Sequence, residues 1–419
     1  MVQHALRAVA NKIIKTQQTP NTWKSSRATM ILKGGDPEKL SNYRGITISN
    51  CTYRLFTSIL LGRMTKVAED NNQLGLLQHG FRRNQRTTDA LFSLTNASKL
   101  SKRQCYLAFV DLSKAYDSVD RGKLWNVLEQ LGYGEKLIDL LKNLYSNCST
   151  RVKLGNIVTP EIPVTRGLRQ GCTLSPLLFA LFISNLQDRL LGSGLGLKIG
   201  KVHIPAILFA DDIVLLAPTA ASIKMLFHVL MDFCEERSLS INPKKSAVML
   251  PSKHDIAPVL AVVTEYLQEK ASISSTVPQC KSYKYLGLLF AQGNSPFTSH
   301  FTKVKMKASF LAAQVRYMAD KSFDRPLITK TMWNSMVMPS ISFGFEVMPF
   351  NATLANKLDS IQFQTFRHMV GLPKTVSTTG LIGDIGIQPI KYLWHQRQLN
   401  YLHRLENLSP EDHLCKLVY

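Results

Sequence analysis

The chain has 419 residues, 45% of them hydrophobic, which excludes a disordered or very small protein and provides for a large core in two or three domains. Lysine and arginine total 51 against 29 acidic residues, a net charge of +22, so a polyanion is attracted before any specific contact forms; nucleic acid is the expected partner and an anionic membrane surface the alternative. The cysteines, Cys51, Cys105, Cys148, Cys172, Cys234, Cys280 and Cys415, are scattered and never form a CxxC pair, which argues against a disulfide framework or zinc site and for reduced thiols.

Val2 to about Lys15 has helical spacing, and Ala28–Leu32 reads as a strand ending in the turn Lys33-Gly34-Gly35-Asp36-Pro37. Leu55, Ile59, Leu60, Met64 and Val67 mark an amphipathic helix from Cys51 to about Asp70, and another runs from Thr88 to Leu100 behind a Thr87 cap. The apolar run Tyr106–Val110 is a short strand buried on both faces that stops at Asp111. Helical sequence follows from Asp120 to Leu144, then a Thr/Val strand region. Ser175 as N-cap and Pro176 open an apolar helix to about Leu190.

Ile204–Phe209 and Ile213–Leu216 flank Ala210-Asp211-Asp212 as a tight hairpin. A helix is expected over Ser222–Glu236, strands over Ala247–Leu250 and Tyr285–Phe290, and a loop around Ser252–His254. Past Gly293-Asn294-Ser295-Pro296 the pattern turns helical, over Val304–Ala319, Ile328–Met338 and Leu354–Val370, so a domain boundary falls near Ser295. Nothing at the N-terminus has the pattern of a secretory leader and no apolar run reaches the roughly 18 residues of a membrane span; the expectation is an intracellular protein of nucleus or cytoplasm with no membrane partner.

One aspartate at a strand end is ordinarily turn chemistry. Asp111 ending a buried strand and Asp211-Asp212 at a hairpin tip, on elements apolar enough to lie side by side in one sheet, gather three carboxylates at one edge. Such a cluster repels itself unless a cation sits in it, and two Mg²⁺ ions, or Mn²⁺ in their place, suit carboxylate oxygens and phosphoryl chemistry. Neighbouring strand residues point oppositely, so Asp111 and Asp211 are the expected principal ligands and Asp212 a weaker one.

Phe109-Val110-Asp111-Leu112-Ser113-Lys114-Ala115-Tyr116-Asp117 and Phe209-Ala210-Asp211-Asp212 resemble the two catalytic motifs of reverse transcriptases, the Phe-Ala form being that of non-LTR (LINE-like) retrotransposons. Arg166-Gly167-Leu168-Arg169-Gln170-Gly171-Cys172-Thr173-Leu174-Ser175-Pro176 between them resembles the motif where template and nucleotide meet. Lys33-Gly34-Gly35-Asp36 with Tyr43-Arg44-Gly45-Ile46, and Leu77-Gln78-His79-Gly80-Phe81-Arg82 with Thr87-Thr88-Asp89, are similar to fingers motifs, although many relatives have proline at Gly45. Asn242-Pro243-Lys244-Lys245-Ser246 and Tyr285-Leu286-Gly287 look like late palm motifs, the second being the primer grip.

The resemblance implies an α/β (α+β) right-hand polymerase, with fingers and palm interleaved over 1–293 and a helical thumb and extension over 294–419. It implies an RNA-directed DNA polymerase adding dNTPs to the 3′-hydroxyl of a DNA primer on an RNA template. Catalytic residues would be Asp111, Asp211 and Asp212, joined by Val110 at the metals. Tyr116, Gln170, Gly171, Lys33, Arg44 and Lys245 would bind nucleotide, with Tyr116 closing the space of a 2′-hydroxyl. Arg169, Phe81, Arg82, Tyr285, Leu286 and Gly287 would hold template and primer.

Glycine at 171 also fits a close backbone approach, to a nucleotide or within a simple turn before the Ser175 helix. A core role for Tyr116 and solvated surface charge for each lysine or arginine stay open. Lys303, Lys305, Lys307 and Arg316 line a nucleic-acid groove or simply an exposed helix face. Phe343, Phe345, Phe363 and Phe366 are expected in the core. The rival readings are a catalytically decayed copy that binds RNA and a viral-type RNA-dependent RNA polymerase, against which the bulk of Tyr116 counts. Neither of the nuclease domains usual in such elements is recognised.

Overall fold

The computed structural model describes residues 2–101, 105–200, 202–249, 277–291, 295–373, 375–411 and 413–419. The expected loop at Ser252–His254, the strand end at Leu250, and Gly293-Asn294 lie outside the described residues. Helices and strands are mixed throughout, as expected. Two compact units divide the chain: Met1–Arg86 with Ala108–Ser246 make most of the first, Thr87–Leu107 and Gln279–Tyr419 most of the second.

The strands are β1 (Ser25–Leu32), β2 (Tyr43–Ile48), β3 (Tyr106–Asp111), β4 (Ser149–Leu154), β5 (Ile157–Val158), β6 (Ile162–Pro163), β7 (Leu197–Ile199), β8 (Val202–Ile204), β9 (Ala206–Phe209), β10 (Asp212–Ala217), β11 (Ala247–Met249), β12 (Ser282–Tyr285) and β13 (Leu288–Ala291). In the first unit β2, β1, β4 and β5 form one sheet, with β6 also on β4, while a second sheet sets β10 between β3 and β9. Tyr106 to Val110 of β3 and Ile213 to Ala217 of β10 are all buried, as strands covered on both faces must be. The helix Ala220–Arg237 packs on β10 through an apolar side that includes Ile223, Phe227, Leu230 and Met231. Its N-cap is Thr219, whose side chain accepts from Ser222 N.

Several expectations need correction. The helix expected from Ser175 to Leu190 is two, Ser175–Phe182 and Asn185–Gly192, and Ser175 does not cap the first. Its hydroxyl instead donates to the Arg169 carbonyl at 2.8 Å, a local bond that competes with the capping geometry. The helical stretch before Leu144 is also two, Arg121–Gln130 and Glu135–Tyr145, separated at Gly132, whose φ is +83°. Ile204 belongs to β8 rather than to the β9–β10 hairpin.

In the second unit, the single strand expected over Tyr285–Phe290 is a hairpin of β12 and β13, with Tyr285 opposite Leu288. Leu286 and Gly287 both have positive φ, +44° and +94°, the turn that suits the twist of a two-residue hairpin. Helices Thr298–Asp320, Arg325–Met332 and Ala352–Met369 match the expected helical character, and Thr378–Ile385 and Ile390–Glu406 follow. Phe345, Phe363 and Phe366 are in the core, Phe345 stacked on Trp394 at 4.1 Å, but Phe343 remains 37% exposed against the Gly287 turn. Lys303, Lys305 and Lys307 are exposed, while Arg316 is half-buried and donates to Thr365. Among the described residues no helix is long and apolar enough to cross a membrane.

The Thr87–Leu100 helix is tied to the C-terminal helices by a buried ion pair. Asp89 has no solvent exposure, and Arg404 meets it at 2.5 and 2.9 Å while Tyr401 donates at 2.8 Å. Replacing Arg404 by leucine strands that carboxylate, so urea denaturation should register a loss of about 3–5 kcal/mol; the double change of Asp89 and Arg404 to leucine should lose much less.

Candidate active site

β3 delivers Asp111 at its end, and the turn between β9 and β10 delivers Asp211 and Asp212. Phe209 pairs with Asp212 in register, leaving Ala210 and Asp211 as the two turn residues, with Ala210 at φ +56°. β10 lies directly beside β3 in the sheet, and the charge of Asp111 bears on both Asp211 and Asp212. The segment after residue 239 wraps the Asp111 end: Leu112 bridges Ile241, Asn242 N donates to Asp111 O at 2.8 Å, and Ser246 Oγ accepts from Asp111 N at 3.1 Å. That wrapping carries Lys245 to 3.5 Å from Asp111 Oδ2, with the lysine side chain 67% exposed.

The three carboxylates lie within electrostatic reach of one another. Burial first, then the charges of Asp211 and Asp111, push Asp212 up to about 6, with Lys245 opposing. Asp211 is raised, chiefly by burial and further by Asp111, while its own backbone hydrogen bond and Lys245 pull the other way. Asp111 Oδ2 is buried and accepts no hydrogen bond among the described residues, and the Lys245 ammonium stands 3.5 Å from it. A buried carboxylate oxygen without a hydrogen bond, within electrostatic reach of two half-buried aspartates, suits a divalent cation, whose hard charge prefers such oxygens. Among the described residues, however, no three His, Cys, Asp or Glu side chains are gathered tightly enough to hold a metal ion.

Tyr116 is half-buried, stacked on Phe179 at 4.9 Å, and burial followed by the charge of Asp211 raises its hydroxyl well above the usual tyrosine value. Gln170 is exposed, its Nε2 donating to Asp117 Oδ1 at 2.9 Å. Gly171, at φ +81°, abuts β2: a Cβ there would stand 2.4 Å from the Thr47 carbonyl oxygen. The glycine is thus required by a neighbouring strand. Gly45 lies on the Gln170 side of β2, so Arg44, which is exposed and pairs with Ile31, occupies the opposite face. Lys33 is exposed just past β1, its N–H bonded to Asn42 O.

Two expected template contacts point inward instead. Arg169 is 6% exposed, donates to the carbonyls of Leu144 and Trp23, and lies over the Tyr53 ring at 4.3 Å. Arg82 is likewise buried, paired with Glu69 at 2.7 Å and bonded to the Gly75 carbonyl. With their donors committed to carbonyls and a carboxylate, both brace the scaffold rather than reach a template. Phe81, in contrast, is 48% exposed at φ +58°. Val110 is buried and can offer a cation only its carbonyl. Tyr285, Leu286 and Gly287 belong to the β12–β13 hairpin of the second unit. Sequence reasoning missed the bonds of Ser246 to Asp111 N and of Gln78 to Ala210 N, since one buried hydroxyl or amide leaves no periodic signal.

An apolar strand and hairpin carrying three carboxylates on adjacent strands of one sheet, in a mixed α/β chain with a helical C-terminal part, is the architecture of a right-hand nucleic-acid polymerase. Residues 31–290, more than half of the chain, match the family described as "Reverse transcriptase (RNA-dependent DNA polymerase)", and the chain belongs to that family. It is 29% identical over 277 residues to the Pol polyprotein of the R2 retrotransposable element of Popillia japonica, covering 65% of this chain and 38% of that protein. Identity is 25% over 423 residues to the R2DM polyprotein of Drosophila melanogaster, covering 96% and 37%. It is 20% over 425 residues to the RNA-directed DNA polymerase from mobile element jockey of the same fly, covering 98% and 44%. The chain therefore spans less than half the length of these relatives. These matches bear out the resemblance to polymerases of non-LTR elements. Among solved structures, telomerase from Candida tropicalis is 11% identical with a TM-score of 0.46, over 99% of this chain and 68% of that one.

Gly171→Ala separates the two roles open to that residue. The crowding against Thr47 and the positive φ should cost about 1–3 kcal/mol in urea unfolding; unchanged stability with lost activity would instead assign Gly171 to the nucleotide.

Proposed function

We propose that this chain is an RNA-directed DNA polymerase that adds dNTPs to the 3′-hydroxyl of a DNA primer on an RNA template. The observation that carries the reading is the placing of Asp111 and of the Asp211-Asp212 turn on adjacent strands of one sheet, with Asp111 Oδ2 buried and accepting no hydrogen bond among the described residues. Reverse transcriptases generally use divalent metals; here Asp111, Asp211 and Asp212, with the Val110 carbonyl, would hold two Mg²⁺ or Mn²⁺ ions. When bound, such ions activate the primer hydroxyl and stabilise the leaving pyrophosphate.

The chain's own groups supply charge and fit. Lys245, beside Asp111, is available to neutralise phosphate charge, and Lys33 and Arg44 are exposed cations on the β1–β2 hairpin. Tyr116, backed by Phe179, is the surface against which the sugar would lie, and a rigid ring there leaves no volume for a 2′-hydroxyl. Gln170, restrained by Asp117, is the nearby amide able both to donate and to accept. Phe81 is available for base stacking, and Tyr285-Leu286-Gly287 for the primer strand. In this reading residues 1–293 are fingers and palm and 294–419 the thumb with its extension. The net charge of +22 and the free cysteines fit an enzyme acting on nucleic acid in the nucleus or cytoplasm.

Primer extension with purified chain, an RNA template, a DNA primer, dNTPs and Mg²⁺ tests the proposal. Asp211→Asn should abolish extension while RNA binding in a filter assay persists; a wild-type chain that binds RNA but extends nothing would make it a decayed copy instead. Tyr116→Ala should raise incorporation of ribonucleotides relative to deoxyribonucleotides, and an unaltered ratio removes the tyrosine from sugar selection.

A further inference from the structure

We propose that Gln78 is a positioning residue for the catalytic turn, its carboxamide oxygen holding the left-handed backbone of Ala210 and thereby the direction in which Asp211 leaves the hairpin. Sequence reading assigns the Leu77–Arg82 stretch to the fingers, yet in the fold Leu77 to Gly80 runs as an extra rung along β9. Leu208 N donates to Leu77 O at 2.9 Å and His79 N to Leu208 O at 2.8 Å, with Gln78 and Leu208 bridged in parallel. Gln78 is 2% exposed. Its Oε1 accepts from Gly80 N at 2.7 Å and from Ala210 N at 3.0 Å, joining two segments 132 positions apart. Its Nε2 makes no hydrogen bond among the described residues, so the acceptor side alone fixes the amide.

The approach is close. A Cβ at Gly80 would stand 2.4 Å from Ala210 N, so this glycine admits the backbone to which the amide binds. Ala210, at φ +56° and 3% exposed, carries a Cβ in a conformation that such residues keep only when their surroundings impose it. Without Oε1 its N–H is a buried donor lacking an acceptor. The backbone would then relax out of the left-handed region, and the rotation of the next peptide would carry the Asp211 side chain with it. Gln78 touches no reacting atom. It acts through Ala210 on a carboxylate that must lie opposite Asp111.

The inference rests on the reading of the aspartates as metal ligands, so its test uses Mn²⁺ alone, titrated calorimetrically into the 419-residue chain without nucleic acid, beside thermal unfolding and primer-extension kinetics. Gln78→Met keeps the length of the side chain and removes the acceptor; Gln78→Glu restores an oxygen at the same reach. Expected are about 10- to 100-fold weaker Mn²⁺ binding and a lower kcat at nearly unchanged KM for dNTP in Gln78→Met, with most of the affinity recovered in Gln78→Glu. Gln78→Asn, which draws the amide back by one methylene, should weaken Mn²⁺ as the methionine variant does, so a folding defect in the latter does not carry the result. Wild-type Mn²⁺ affinity in the Met and Asn variants, or a Glu variant as weak as they are, overturns the role of Gln78 while Asp211→Asn still loses the ion. If wild type and Asp211→Asn take up Mn²⁺ alike, the metal reading falls, and this inference with it.

Discussion

Like charge is what this structure has to contain. Carboxylates held near one another in a partly buried site disfavour their shared ionisation, and Asp111, Asp211 and Asp212 lie within electrostatic reach of each other there. Burial raises the proton affinity of Asp211 and Asp212 first, and the charge of Asp111 on both, with that of Asp211 on Asp212, adds to it. A flexible backbone would relieve the repulsion by drawing the strands apart. β3 and β10 do not yield because each is buried along nearly its whole length, and because the segment 240–246 ties down the Asp111 end with three backbone and hydroxyl bonds. The scaffold's rigidity keeps the repulsion available to a cation.

The basic residues divide into two populations. Arg169, Arg82 and Arg121 turn inward and spend their donors on main-chain carbonyls and, for Arg82, on Glu69. A guanidinium, with five donors in a planar fork, can satisfy several orphan carbonyls at once; an ammonium cannot do so in the same geometry. These arginines work as struts under the loops that shape the site. The net charge of +22 thus overstates the footprint offered to phosphates, and the groups left at the surface of the first unit, such as Lys33, Arg44 and Lys245, are those to weigh for nucleic acid.

What could be read from sequence follows from where the signal is periodic. β3 and the β9–β10 hairpin are continuous apolar runs interrupted by charge, and the long helices repeat their buried side every three or four residues, so both were legible. The β12–β13 hairpin was not, because its turn is Leu286-Gly287 and the leucine hides the break inside an apolar run. The division of the helix after Ser175 was hidden likewise, since Ile183 continues the apolar run and the break is marked only by Ser184, whose hydroxyl donates to the Leu181 carbonyl at 2.9 Å. Arginines that point inward look like any others in a basic chain. Gln78 and Ser246 act through one oxygen each on distant backbone, a relation that exists only after folding.

The loop from Arg166 to Cys172 joins the residues around Tyr116 to β2. Gly167 fits because a Cβ there would stand 2.6 Å from the Asp117 carbonyl oxygen, and Gly171 stands as close to Thr47, so both positions are crowded by protein backbone. Leu168 N donates to Tyr116 O, and Gln170 is held by the Asp117 side chain, so the loop grips the residues on either side of that peptide bond. In the proposed reaction the ring that limits the sugar and the amide nearest the nucleotide are therefore not independent. A displacement of the loop shifts Tyr116 and Gln170 together, and geometry at the sugar is set by the same contacts that set the approach to the base. Substitutions at Gly167 should accordingly disturb sugar discrimination and nucleotide affinity as a pair, a coupling that follows from one backbone threading between two tight contacts.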